Sequence, residues 1–375
     1  MRRTKNAVRR FYYIFIFPVF RYTDPMNKFF IGMLLFVPVA VIAELLGASP
    51  IIIFILAALA IIPLAKYIGE ATEELTIYTG AALGGLLNAT FGNATELIIA
   101  IFALRAGLVE VVKASLTGSI IGNLLLVLGM AMLAGGWNRE KQKFNVTGAK
   151  TAASTLLLAV IALVIPAIFV ITSPGITHGV TETVSIVVAI CMIVAYGANL
   201  LFTLHTHKHL YSADVAEETH AAKWSKGTAL GVLLAATVAV AFMSEILVGS
   251  IEPLVHAFGW TELFIGVIFV AIIGNAAEHA SAITVAIKNK MDLSLQVAVG
   301  SSTQIAMFVA PVLVLVSLAF AEPMDLVFHT FELVAIIFSV FIVNSIIEDG
   351  ESHWFEGVQL LVTYLIIAVA FFFHP

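Results

Sequence analysis

Long apolar stretches recur along the whole chain of 375 residues and leave few alternatives for its fold. A helix rises about 1.5 Å per residue, so about 20 apolar residues cross the roughly 30 Å hydrocarbon core of a bilayer. Only 11% of the residues are charged and the mean hydropathy is +1.04, which excludes a water-soluble domain. The sequence predicts an all-α polytopic membrane protein with about 11 transmembrane helices. The apolar windows are 29–46, 49–68, 77–106, 109–136, 147–172, 179–204, 227–250, 261–287, 292–320, 327–347 and 354–373.

Basic residues predict the orientation of this chain. If the N-terminus is cytoplasmic, all of the 19 Lys and Arg residues except Arg105 and Lys113 fall on the cytoplasmic side. Positive residues accumulate there in multi-pass proteins, so the C-terminus is expected outside. The basic N-terminal arm and the apolar segment Phe11–Phe20, which is too short to span, are expected to lie at anionic lipid. No nucleic-acid partner is expected.

One segment occurs twice, as GNATELIIA at Gly92–Ala100 and as GNAAEHASA at Gly274–Ala282. A constant offset of 182 residues also pairs glycines and acids outside the segment, which indicates a duplicated unit. Five predicted helices per copy is an odd number, so the copies would cross the membrane in opposite directions. Such inverted repeats place their binding sites near the bilayer midplane.

The duplication divides the chain into four parts. They are 1–48, with the arm, interfacial segment and first helix; 49–206, the first five-helix repeat; 207–224, a cytoplasmic linker; and 225–375, the second repeat. The linker region carries His205, His207, His209 and His220. A metal or pH sensor and a solvated linker with incidental histidines both remain open.

Each copy places one acid, Glu96 or Glu278, inside an apolar predicted helix. A charge there costs about 3 kcal/mol on insertion scales. No Lys or Arg lies near the middle of any predicted helix, so a structural ion pair lacks a partner; permanent protonation is the remaining structural alternative. Two carboxylates match one divalent cation or two protons, and hard oxygen ligands suit Ca²⁺. The sequence therefore predicts a cation or proton site that contains both acids.

Further polar residues recur near these acids at the same offset. Gly92 and Gly274 would allow local unwinding of the helices, which exposes backbone carbonyl groups. For the other residues, a role in packing helices together is the alternative to binding or tuning. The predicted supporting residues are Asn93, Asn275, Ser119, Asn123, His279, Ser301, Ser302 and Gln304.

Another group of acids lies near helix ends, where they could draw cations to each entrance. Solvated helix ends are the alternative. These acids are Glu70, Glu73, Glu74 and Glu252.

At these residues the chain resembles the Ca²⁺/H⁺ exchanger branch of the calcium/cation antiporter superfamily. The resemblance covers essentially 29–373 and is carried by EATEELTIYTGAALGGLLNATFGNATELIIAIFAL, FMSEILVGSIEP, GNAAEHASAITVA and VGSSTQIAMFVAP. It implies one helix followed by two inverted five-helix repeats, with Glu96 and Glu278 at the central cation and proton site. It also implies an acidic linker helix. Na⁺/Ca²⁺ exchangers of the superfamily are expected to carry additional acidic or polar ligands, whereas the segments around Ser119 and Ser301 hold no carboxylate.

The resulting hypothesis is an antiporter that expels cytosolic Ca²⁺ in exchange for external H⁺ by alternating access. Exchange of Na⁺ for Ca²⁺, exchange of H⁺ for Mn²⁺, and a passive cation channel are the alternatives. The chain contains no HExxH and no GxSxG, so an enzyme is not expected. No cofactor is expected, a homo-oligomer is left open, and short loops favour a prokaryotic plasma membrane.

Overall fold

The computed structural model describes residues 25–207 and 222–374. The predicted arm, the interfacial segment and most of the linker, including His209 and His220, lie outside the described residues. The helices are α1 (Pro25–Met33), α2 (Phe36–Leu45), α3 (Pro50–Phe91), α4 (Ala94–Arg105), α5 (Val109–Gly136), α6 (Val146–Thr172), α7 (His178–Thr206), α8 (Lys226–Gly249), α9 (Ile251–Phe258), α10 (Glu262–Ile287), α11 (Met291–Ser317), α12 (Thr330–Ile346) and α13 (Trp354–Phe373). The strands β1 (Gln142–Lys143) and β2 (Glu351–Ser352) pair antiparallel.

Most of these helices are long and apolar enough to cross a membrane. Within the described residues, nine helical stretches meet that condition, and α12 is a shorter apolar helix. The protein is therefore a multi-pass helical membrane protein. The predicted window 77–106 is not among the nine, because α3 ends at Phe91 and α4 begins at Ala94.

The first long helix differs from the prediction. The gap expected between windows 49–68 and 77–106 does not interrupt α3, which continues to a kink at Gly80 with φ 79°. The polar residues of that gap are good helix formers, so a fall in hydropathy does not end the helix. As a result Lys66, which the prediction placed near the end of a helix, lies well inside α3. It pairs with Glu70 on the next turn.

Side-chain caps set the start of several helices. Asn145 accepts a hydrogen bond from the backbone of Gly148 at the start of α6, and Ser225 does the same for Thr228 at α8. Thr261 caps α10 in the same way. These residue types satisfy backbone N–H groups that have no partner within the helix, so each helix begins where the sequence supplies a cap.

Two helices, α5 and α11, form the centre of the bundle. In the most apolar stretch of α5, 83% of the residues are buried, and in that of α11, 67%. The corresponding fractions are 22% for α7 and 17% for α13. Each contains a π-helical turn, Gly122–Val127 in α5 and Ile305–Val309 in α11. Such turns are frequent at functional sites. The outer helices present their apolar side chains to lipid.

Loops on one face of the bundle are tied together, and we call it the Lys141 face (137–145, 288–290 and 347–353). The strand pair β1–β2 joins the first and last of these loops. Gln142 donates to the carbonyl of Ala286 at 3.0 Å and so reaches the end of α10. Lys141 binds the Glu351 carboxylate at 2.8 Å, and this hydrogen bond raises the pKa of Lys141 above its usual value.

The opposite face, which we call the Lys113 face (106–113 and 318–329), is held by a buried ion pair. Nζ of Lys113 lies 2.7 Å from the Asp325 carboxylate and 2.9 Å from the Val327 carbonyl. The Lys113 side chain is 8% exposed and that of Asp325 is 19% exposed. The pair joins the start of α5 to the connection between α11 and α12.

Candidate cation-binding site

Glu96 lies in the first turn of α4, directly after a break in the helix. α3 ends at Phe91, and Asn93 has the non-helical angles φ −102° and ψ 19°. The expected unwinding at Gly92 is therefore present as a short interruption of the helix. It separates Glu96 from the α3 segment before it.

Glu278 has a different backbone setting. It lies in the unbroken stretch Ala271–Ile287 of α10, so the prediction that Gly274 unwinds the helix is wrong. The irregular part of α10 is the π-helical turn Ile265–Val270, earlier in the helix. Gly274 instead provides space for a neighbouring side chain.

The two repeated motifs face each other. A Cβ atom on Gly274 would lie 3.1 Å from Cγ and 3.5 Å from Oε1 of Glu96. Reciprocally, a Cβ atom on Gly92 would lie 3.8 Å from Oε1 of Glu278. Each glutamate thus occupies space that the glycine of the other motif leaves open. This arrangement brings both acids into one site.

Several buried oxygens of this site have no hydrogen-bond partner among the described residues. They are Oε1 and Oε2 of Glu96, Oε2 of Glu278 and Oδ1 of Asn93. Buried acceptors are nearly always paired in proteins, because an unpaired one loses its hydration without compensation. Unpaired hard oxygens are the ligands that Ca²⁺ accepts. In 25–207 and 222–374, no group of three or more His, Cys, Asp or Glu residues could hold a metal, so the two acids are the charged ligands available.

A buried hydrogen-bond network connects α5, α10 and α11 beside the acids. Asn275 donates to Ser119 at 2.8 Å, and Asn123 donates to Ser301 at 3.0 Å and to Asn275 at 3.4 Å. Nε2 of His279 lies 3.1 Å from Oδ1 of Asn123. The network therefore includes residues of both motifs and of the two central helices.

Comparisons with known proteins show the family to which the chain belongs. The chain matches the sodium/calcium exchanger protein family over 49–205 and 228–373. It belongs to that family. A Ca²⁺/H⁺ antiporter from Aphanothece halophytica is 51% identical over 363 residues, which cover 93% of this chain and 97% of that protein. The Ca²⁺/H⁺ antiporter ChaA of Bacillus subtilis is 49% identical over 352 residues, covering 92% and 99%. These relatives are transporters.

Solved structures show the same fold. The structure of native YfkE superposes with a TM-score of 0.81 at 46% identity, covering 92% of this chain and all of that one. A more distant H⁺/Ca²⁺ exchanger, CAX, has a TM-score of 0.66 at 14% identity, covering 93% and 92%. The latter likeness concerns the fold alone. Membership of the sodium/calcium exchanger family accounts for the two related motifs.

The remaining predicted supporting residues of this exchanger separate into two groups. Gln304 accepts a hydrogen bond from Nδ2 of Asn93 at 2.7 Å and so lies at the site. Ser302 instead donates to the carbonyl of Ala298 at 2.9 Å, on its own helix. Its second contact is the Ile120 carbonyl at 3.4 Å. Ser302 therefore joins α11 to α5 and does not face the acids.

A small cavity adjoins Glu96 on its side towards the Lys113 face. Its space admits about one water molecule. Ser115 lies on this cavity and was missed in the sequence analysis, although it precedes Ser119 by one helical turn. The lining residues are Glu96, Ile99, Ala100, Ser115, Leu116, Ser119, Val270 and Ile305.

The predicted entrance acids have unequal surroundings. Glu74 is buried, and its Oε2 accepts hydrogen bonds from the backbone N–H groups of Lys223 at 2.8 Å and Trp224 at 3.0 Å. Its carboxylate thus ties α3 to the segment before α8 and is not free to draw cations. For Glu74 the entrance interpretation is wrong, because local backbone donors engage the charge.

The other three acids lie closer to solvent. Glu70 pairs with Lys66, Glu73 is exposed, and Glu252 is 73% exposed beside His256 at 3.9 Å. An entrance role stays a prediction for these residues.

The glycines that recur at the offset of 182 residues pack unequally around the site. A Cβ atom on Gly118 of α5 would lie 2.0 Å from the carbonyl oxygen of Val267 of α10, so the two backbones touch. A Cβ atom on Gly266 would lie 2.5 Å from Cβ of Ala114. The bundle is therefore closed between the acids and the Lys113 face.

Gly300 and Gly84, the counterparts of Gly118 and Gly266 at the offset of 182 residues, do not contact each other's helices in this way. A Cβ atom on Gly300 would have no atom of the described residues within 4 Å. The nearest atoms to a Cβ on Gly84 belong to Thr76, on its own helix. The close contact at Gly118 therefore has no counterpart at Gly300.

Proposed function

We propose that this protein is a secondary active antiporter that exchanges cytosolic Ca²⁺ for external H⁺, with Glu96 and Glu278 binding Ca²⁺ and protons in turn. The observation that carries the proposal is the reciprocal packing of each acid against the glycine of the other motif, which leaves buried oxygens unpaired. Relatives named Ca²⁺/H⁺ antiporters, of nearly the same length, support the choice of ions.

The chemistry follows from the charge of the site. Two carboxylates balance one Ca²⁺, and protonation of both removes the charge that holds it. Oδ1 of Asn93 and backbone carbonyls at the helix break would supply neutral oxygens, since Ca²⁺ takes six to eight ligands. A third carboxylate that would favour Na⁺ is lacking among the described residues near the site.

We also propose that about 11 helices form one N-terminal helix and two inverted five-helix repeats, with the boundaries predicted above. The unequal packing of the two glycine pairs supports alternating access. In the described conformation α5 and α10 meet at Gly118 and Val267, whereas Gly300, the counterpart of Gly118, has no such contact among the described residues, so we take the Gly300–Gly84 side as the open one. With a cytoplasmic N-terminus in a prokaryotic plasma membrane, the open side faces the cytoplasm. In the other conformation Gly300 and Gly84 would close.

Uptake of ⁴⁵Ca²⁺ into proteoliposomes under an imposed pH gradient tests this function. Wild type should accumulate Ca²⁺, and Glu96→Gln or Glu278→Gln should reduce the rate at least about tenfold, because each removes one of two charged ligands. Glu322→Gln, at an exposed acid with no proposed role, is the matched control. Uptake at the wild-type rate by either central variant would overturn the proposed site.

The same vesicles separate the alternative functions. A Na⁺ gradient that drives uptake without a pH gradient would favour a Na⁺/Ca²⁺ exchanger, and saturable H⁺-driven uptake of Mn²⁺ alone would favour a Mn²⁺ exchanger. Flux that neither saturates nor responds to an opposing proton gradient would indicate a channel.

A further inference from the structure

The small cavity beside Glu96 has three polar residues in its lining, Glu96, Ser115 and Ser119, and is otherwise apolar. It extends from Glu96 towards the Lys113 face, because Ser115 lies one turn of α5 closer to Lys113 than Ser119 does. Among the described residues, Glu278 is not part of the lining. The cavity therefore adjoins one of the two acids.

The hydrogen-bonding groups of this lining are complementary. The Ser119 hydroxyl accepts a hydrogen bond from Nδ2 of Asn275 at 2.8 Å, and its own hydrogen has no acceptor among the described residues. The Ser115 hydroxyl donates its hydrogen to the carbonyl of Val112 at 2.8 Å, so its oxygen still has capacity to accept. Both oxygens of Glu96 are acceptors without a partner from another described residue. The lining thus offers one donor and acceptors on two further residues.

One water molecule matches these groups in number and in size. Buried water typically makes about three hydrogen bonds and is found where a cavity of its own size has two to four polar partners. In this cavity a water molecule would accept from Ser119 and donate to Glu96 and Ser115. Ca²⁺, which takes about six to eight oxygen ligands, would lack ligands there. The lining therefore suits water and not the cation.

We propose that this cavity binds one water molecule and that protons reach and leave Glu96 through it, with Ser115 and Ser119 as its positioning residues. The inference rests on the proposed function, in which Glu96 takes up protons. When the Lys113 side is open, the bound water gives a proton to a Glu96 oxygen and takes one from a hydronium ion on that side. The O–H bond that breaks is replaced by the one that forms, so one proton moves and the water is restored.

Two modes of transport depend differently on this water. Uptake of ⁴⁵Ca²⁺ driven by a pH gradient requires proton transfer to Glu96 as well as movement of the cation. Exchange of internal Ca²⁺ for external ⁴⁵Ca²⁺ at equal pH requires alternating access and cation binding but no protonation. Loss of the bound water should therefore slow the first mode and leave the second unchanged, whereas a packing defect would slow both.

Three variants in proteoliposomes test the water site. Ser115→Ala removes one hydrogen-bond partner and should slow proton-driven uptake about fivefold, as expected for one hydrogen bond. Ala100→Val adds methyl groups to the lining and should slow it at least about tenfold, because the positioned proton donor is displaced. Ser339→Ala is the matched control, since this buried serine donates to Ala335 on its own helix at 2.7 Å and lies outside the lining. In all three, exchange of Ca²⁺ for ⁴⁵Ca²⁺ should stay within about twofold of wild type.

Other outcomes overturn the proton route. Wild-type rates of proton-driven uptake in both Ser115→Ala and Ala100→Val would show that Glu96 receives its protons elsewhere. An equal fall of both transport modes in these variants, with Ser339→Ala unaffected, would show that the cavity matters for packing alone. Thermal unfolding in detergent checks folding, and Ser115→Ala decides the question by itself if Ala100→Val does not fold.

Hydroxyl-radical labelling detects the water without any transport. X-rays convert bound water into hydroxyl radicals, which oxidise adjacent side chains, and mass spectrometry locates the oxidised residues. In wild type Leu116, which lines the cavity, should be oxidised, whereas Leu313, which is also buried but outside the lining, should not. Ala100→Val should abolish the oxidation of Leu116.

This labelling also separates the two proposals. Absence of oxidation at Leu116 in wild type would overturn the water site. If Leu116 is oxidised and wild type fails to transport with protons, the proposed function fails while the water site stands.

Discussion

Asn93 and Asn275 hold the same position in the two motifs but have different surroundings. Asn275 uses both its amide hydrogens and its oxygen in hydrogen bonds to α5 and α10. Asn93 donates to Gln304, and its Oδ1 stays buried without a partner among the described residues. The two asparagines therefore have different roles. Asn275 joins α10 to α5 by hydrogen bonds, whereas Asn93 leaves an unpaired oxygen at the site.

The buried ion pair on the Lys113 face gives a prediction for single residues. Asp325→Ala should destabilise the protein by about 3 kcal/mol, because it leaves the buried Lys113 ammonium without its 2.7 Å partner. Glu252→Ala, which removes an exposed pair, should cost less than about 1 kcal/mol. Thermal unfolding of the purified variants in one detergent measures both. Equal small shifts would show that the buried pair contributes no more than a surface pair.

At the scale of helices, the contact between the backbones of α5 and α10 closes the side of the site towards the Lys113 face. Gly118 allows α5 to touch α10 at Val267, and Gly300 at the same offset touches nothing within 4 Å among the described residues. The two π-helical turns of α5 and α11 recur at that offset, yet α3 is kinked at Gly80 while α10 carries its irregularity at Ile265–Val270. One sequence pattern thus adopts two arrangements in one molecule.

Alanine at the two glycines should have different effects. Gly118→Ala places a Cβ 2.0 Å from a carbonyl oxygen, so it should lower thermal stability and transport. Gly300→Ala should leave the thermal stability unchanged but reduce proton-driven ⁴⁵Ca²⁺ uptake several-fold, because Gly300 must close in the other conformation. Gly197→Ala, at an open position, is the control. Full transport by Gly300→Ala would argue against symmetric closure.

At the scale of the whole molecule, the faces of the bundle agree with the loops that the charge pattern groups together. The loop before α6, the end of α10 and the loop before α13 contact one another on the Lys141 face. Lys113, one of the two basic residues predicted outside, lies on the opposite face with Asp325. The unequal distribution of Lys and Arg between these two faces predicts that the Lys141 face lies in the cytoplasm.

Cysteine labelling in cells tests that orientation. In a Cys191→Ser background, Ala106→Cys should react with a membrane-impermeant maleimide added outside, whereas Lys288→Cys should react only after the cells are opened. Both positions are exposed and lie on opposite faces. The reverse pattern would place the N-terminus outside, and the direction of Ca²⁺ transport would be reversed.

The sequence by itself determined the membrane-spanning helical class, the two acids and most of their polar neighbours, because hydropathy and an exact repeat offset are local properties of the chain. It also identified the family from the motifs. It misplaced the end of the first long helix and assigned Glu74 to an entrance, since continuing helices and backbone partners depend on contacts between distant segments.

Only the tertiary structure decided how the two copies differ. The reciprocal packing of Glu96 and Glu278, the hydrogen bonds of Asn123, and the closure at Gly118 all arise between helices far apart in sequence. A repeat predicts equal halves. The bundle breaks that equality, because α5 and α10 touch at Gly118 and Val267, whereas Gly300 at the same offset makes no such contact among the described residues.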